Sequence, residues 1–116
     1  MADPTMKKSV HIAKIIREHR NACEKHPKFC DEFTSLSKEG VEAYERYTRF
    51  LNSKSPYYAE SILQEEIAEA LSAHQQGDRE HCLQELAQCG AVILRMMQYV
   101  EEERWANGDT CKKEEK

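Results

Sequence analysis

The chain has 116 residues, 40% hydrophobic and 33% charged, which is enough for one core and too little for two, so a single domain is expected. A formal charge of -4 excludes the broad basic face that neutralises nucleic-acid phosphates, while leaving room for a small anionic ligand held through a cation. No run approaches the roughly 18 apolar residues of a membrane span, and the start MADPTMKKS lacks a signal-peptide core, so the expectation is a soluble, cytoplasmic protein without membrane or nucleic-acid partners.

Apolar residues recur at three and four along most of the chain, and strand-like alternation is nowhere sustained, which predicts an all-α fold. Residues 1–8 read as a flexible lead-in, 9–105 as one helical domain, and 106–116 as a disordered polar tail. Ser9 is placed to cap a first helix running to about Glu24, with Ile12, Ile15, Ile16, His19 and Cys23 on its buried face. The following HPKFCDEFTSLS has turn residues and little periodicity, and is a connection with room for a short helical turn. Ser37 opens a second helix that buries Val41, Tyr44, Thr48 and Leu51 and ends near Asn52. Ser55 and Pro56 form a cap and first-position proline pair for a third helix reaching about Gln76. Gly77 stops it, Asp78 caps the next, and a fourth helix runs to about Trp105.

The five cysteines make an odd count in a chain with no secretion signal, which favours reduced thiols. Cys82 and Cys89 share one helix face and read as core. Cys23, His26 and Cys30 form CxxHxxxC and could supply three zinc ligands, but no fourth is evident and Pro27 interrupts the local helix.

The third and fourth helices carry carboxylates where apolar side chains are expected. At about 100° per residue, Ile62, Leu63, Ile67, Ala70 and Ala73 share one face; Glu66 falls inside it, Glu69 at its edge, and Glu65 further out on the same side. On the fourth helix Cys82, Leu86, Cys89, Val92, Ile93 and Met96 form the face, with Glu85 inside it and Gln88 at the edge. Around a hairpin centred on Gly77, Glu69 mirrors Glu85 and Glu66 mirrors Gln88, so the four meet at two levels about one turn apart. Several carboxylates buried together repel, and they need a compensating cation. Mg²⁺ accepts such oxygens and keeps waters and substrate phosphates in its other positions. The alternative is a solvated acidic stripe. A di-iron bundle is disfavoured because no histidine has a glutamate three residues before it, Asp78 with His81 being the nearest match.

Glu65 to Glu69 read as EExxE, and fifteen residues later Glu85 to Gln88 read as ELAQ. Within ILQEEIAEA and LQELAQCGAVILRM, this resembles the EExxE and ExxD motif of the MazG-like all-α nucleoside triphosphate pyrophosphohydrolases, in a branch with Gln in place of the final Asp. The resemblance covers about residues 57–100, and further upstream only IIREHR is similar to the family's leading helix. It implies a four-helix bundle-like fold with a central antiparallel helix hairpin, usually a homodimer or higher homo-oligomer. It also implies Mg²⁺, with Mn²⁺ as a substitute, and hydrolysis of a nucleoside triphosphate to the monophosphate and pyrophosphate. Glu66, Glu69 and Glu85 match metal-binding acids, and Gln88 stands where an Asp ligand is usual. Glu65 matches the leading acid, which binds metal through water or orients the attacking water, so Glu65 and Glu66 are the catalytic candidates. An amide oxygen at Gln88 still coordinates Mg²⁺ but adds no charge. Arg95, along the edge that carries Gln88, is the candidate phosphate contact, the alternative being a solvated rim arginine. A catalytically degenerate homologue, serving as a nucleotide-binding or oligomerisation module, is the second reading.

Overall fold

The computed structural model describes residues 4–104. Among them are four α-helices, α1 (Pro4–Lys25), α2 (Lys38–Leu51), α3 (Ala59–Gln75) and α4 (Arg79–Gln98), followed by a π-helical segment, Tyr99–Arg104. No described residue lies in a strand, so the architecture is all-α. Among the described residues, no helix is long and apolar enough to cross a membrane. The chain divides into two compact units, one combining Met1–Cys30 with Leu94–Lys116 and the other spanning Asp31–Ile93.

In the first unit, α1 begins at Pro4, so the lead-in expected over 1–8 is helical from that residue onward and Ser9 is interior, not a cap. A proline at the first helical position loses no intrahelical hydrogen bond and its ring presets φ, which makes Pro4 a natural start. The face expected to be buried is open: Ile12, Ile15 and Ile16 are 40%, 39% and 55% exposed. His19 is exposed as well, with its Nε2 3.5 Å from Cys23 Sγ. The buried histidine is instead His11, whose Nε2 lies 3.3 Å from Glu101 Oε1. The helix expected to reach Trp105 gives way to π geometry at Tyr99. Trp105, Cys111 and the tail expected over 106–116 lie outside the described residues.

In the second unit, residues 31–37 form bends and irregular chain with no helical turn. They are tied to α3 by Phe33 stacked on His74 at 4.3 Å and by Gln75 Nε2 donating to the Leu36 carbonyl. Ser37 caps α2 as expected, its hydroxyl accepting from the Gly40 amide at 3.1 Å. Val41 and Thr48 are fully buried, with Tyr44 and Leu51 half-buried beside them.

Helix α3 starts at Ala59, not at Ser55, and Tyr58 precedes it without a side-chain cap. Ser55 and Pro56, joined by a cis peptide, belong to the reversal between α2 and α3. That reversal is fastened from its first residue, because Asn52 Nδ2 donates to the Ser61 carbonyl (2.9 Å) and to Glu65 Oε1 (2.8 Å). Gly77, at φ +75°, ends α3 in the left-handed region that glycine enters without penalty. Asp78 Oδ1 then accepts the His81 amide at the start of α4.

The helix pair in closest approach is α2 with α3, not the α3–α4 hairpin. Small side chains explain how helices come so near: Ala68, Ala70 and Ala73 are at most 1% exposed. Cys82 joins Ala70 and Ala73, its Sγ 3.4 Å from the Ala70 carbonyl, so α4 folds back along α3. The larger apolar residues expected to form the core are only partly covered, Ile62 at 38% and Leu86 at 40% exposure.

A candidate metal centre

The helix turn at Gly77 brings Glu85 of α4 to the two acids that α3 presents three residues apart, Glu66 and Glu69. One carboxylate oxygen from each lies within 4.8 Å of the other two. Glu85 is 7% exposed, and Glu66 and Glu69 are half-buried. Oε1 of Glu66 and Oε1 of Glu85 are buried without a hydrogen-bond partner. Such orphaned acceptors are costly away from water, and a cation relieves both at once. An ion that takes oxygens at about 2.1 Å holds adjacent ones about 3 Å apart, so small side-chain rotations suffice to close the three around it.

Electrostatics agree with the geometry. Burial, then the neighbouring Glu85 carboxyl and the charges of Glu69, Glu85 and Glu65, push Glu66 up to about 7. Glu69 is likewise pushed up to about 7, by burial, the neighbouring Glu85 carboxyl and the charge of Glu65, with Arg49 pulling the other way. Burial and the crowding of carboxylates together let these acids hold their protons to higher pH than ordinary glutamates. The same field reaches Cys89, whose thiol is raised first by burial and then by the charge of Glu66, so it stays protonated and packs as a small apolar group.

Of the expected site residues, the structure gathers Glu66, Glu69 and Glu85. Glu65 is half-buried one position before them, held by Asn52. Gln88 is exposed on the next turn of α4, and Arg95 is exposed in the first unit. Cys23, His26 and Cys30 form no metal-holding group among the described residues, and Cys23 and Cys30 are exposed free thiols.

Three residues at the site escaped the sequence reading. His81 Nε2 lies 3.1 Å from Glu85 Oε2, which leaves the other oxygen, Oε1, as the unpartnered one. Its signal in the sequence is HxxxE, which puts the imidazole one helical turn before Glu85. Arg49 pairs with Glu45 at 3.2 Å and acts on Glu69. Asn52 was read only as a helix end. No protein-family model, curated protein or solved structure matches the chain.

Proposed function

We propose that the protein is a Mg²⁺-dependent nucleotide pyrophosphohydrolase, with Mn²⁺ as a substitute ion, that converts a nucleoside triphosphate to the monophosphate and pyrophosphate. The observation that carries the proposal is the buried Glu85, with its unpartnered Oε1, among the carboxylates of Glu66 and Glu69. The EExxE and ELAQ pattern supplies the reaction class through its resemblance to the MazG-like enzymes.

Glu66, Glu69 and Glu85, ionised, would hold a divalent cation, which when bound would supply positive charge to carboxylates and phosphates alike and make a bound water more acidic. His81 holds Glu85 by Oε2 so that Oε1 is directed inward. Asn52 fixes Glu65 through Oε1, and the free oxygen of Glu65 orients the attacking water and takes its proton. The water oxygen bonds to the α phosphorus as the bond from that phosphorus to the bridging oxygen breaks, and pyrophosphate leaves.

Gln88, exposed and uncharged, favours one second reading: a homologue that retains the ion and nucleotide without turnover. Incubation with Mg²⁺ or Mn²⁺ and a panel of ordinary and modified nucleoside triphosphates separates the two. Pyrophosphate release that Glu66→Ala abolishes supports the enzyme, and binding without release supports the second reading. The exposed Val10, Ile12 and Ile16 of α1 support self-association as a homodimer or higher oligomer, which sedimentation tests.

A further inference from the structure

Beside the carboxylates, and sharing Glu69 with them, is a recess of about 410 Å³ lined by Glu45, Arg49, Ser72, Gln76 and His81. Its size suits part of a small ligand. Its lining has no aromatic ring other than the imidazole and little apolar wall, so it is poorly made for a nucleobase. It is rich in donors: the Arg49 guanidinium, the Gln76 amide, the Ser72 hydroxyl and the His81 ring.

We propose that this recess receives the terminal phosphates of the substrate, and that Arg49 is the residue that grips them. The inference rests on the pyrophosphohydrolase reading and assigns the phosphate end of the substrate to one side of the carboxylates. Arg49 is suited to the task because its side chain is 57% exposed and tethered only to Glu45, one turn away on the same helix. Such an exposed pair contributes little and exchanges readily. A planar guanidinium can then take two phosphate oxygens at once.

A divalent cation on Glu66, Glu69 and Glu85 would add a second phosphate contact beside Arg49, so the recess is expected to take phosphates more tightly when the carboxylates are loaded.

The test uses the full chain, Mn²⁺ as the ion and inorganic pyrophosphate as the probe. Electron paramagnetic resonance measures free Mn²⁺, and calorimetry measures pyrophosphate binding to the loaded protein. Arg49→Ala is expected to change Mn²⁺ affinity far less than pyrophosphate affinity, since it removes an exposed ion pair and a cation near Glu69 but no metal ligand. Pyrophosphate affinity is expected to fall about tenfold or more, with Arg49→Lys between the two. Retained Mn²⁺ binding also serves as the folding control. If the loaded Arg49→Ala protein binds pyrophosphate as the wild type does, the assignment of the recess is wrong while the metal site stands. If the wild type takes up no Mn²⁺, the metal-site reading falls and this one with it.

Discussion

Helices α1 and α3 make an instructive pair. On α1 the isoleucines at 12, 15 and 16 follow a helical stripe and stay exposed, whereas on α3 Glu66 and Glu69 are half-buried. Apolar groups stay exposed on α1, and charged groups are drawn inward on α3, which packs against α2 and receives Cys82 of α4. Burial follows what packs against a face, not the hydropathy of the face.

The sharpest way to break this contrast is to remove an acid from the cluster. Glu85→Ala is expected to weaken Mn²⁺ binding by more than about 100-fold, since losing a residue that merely orients a ligand already costs about 10–100-fold. Calorimetry with Mn²⁺ reads this directly, and unaltered affinity would remove the carboxylates from any metal role. No comparable effect should follow any single substitution on α1.

Packing provides the next largest difference. Ala68 is 0% exposed, and Ala68→Leu should destabilise the protein by about 1–3 kcal/mol through overpacking. Ile16→Ala removes as many carbons as Ala68→Leu adds, yet at 55% exposure it should change stability by no more than about 0.5 kcal/mol in the monomer. Urea titration of both variants decides the point, and a larger loss for Ile16→Ala would mean that α1 is covered in solution.

The pH dependence is of intermediate size. Glu66 and Glu69 have their folded-state values raised to about 7 from an ordinary 4.5. A raised value means that the favourable contribution is complete below the unfolded value and is lost as pH rises through about 7. Thermal melts in chelator should therefore fall between about pH 5 and pH 8, and Glu66→Gln should flatten that fall. Added Mg²⁺ should restore more stability at pH 8 than at pH 5, because only the ionised acids bind it.

The smallest effects belong to the helix ends. Ser37→Ala should cost about 1 kcal/mol by orphaning the Gly40 amide. Gly77→Ala meets no neighbouring atom but holds φ +75°, so a loss of about 1 kcal/mol would be purely conformational. Chemical denaturation measures both.

These ends were also the most legible parts of the sequence. Ser37, Gly77 and Asp78 act on backbone groups within a few residues, so their roles can be read without knowing what lies across the core. Ser55 and Pro56 carried the same kind of signal, yet α3 starts at Ala59 because Asn52 fastens the preceding turn to Ser61 and Glu65. The carboxylate cluster was legible for a similar reason. The mirrored spacing of Glu69 and Glu85 about one glycine makes a long-range contact out of a short hairpin.

By itself, then, the sequence determined the helices, the hairpin turn and the three acids that meet across it, all interactions between residues close in the chain or related by one turn. Only the tertiary structure decided that α2 is the nearest neighbour of α3, that Arg49 and Asn52 reach the acids, and that the stripe of α1 is left uncovered. Periodicity identifies the face of a helix that could be buried. Which partner buries it depends on the summed packing of residues far apart in sequence, and small residues such as Ala68 and Ala70 settle that through the closeness they permit.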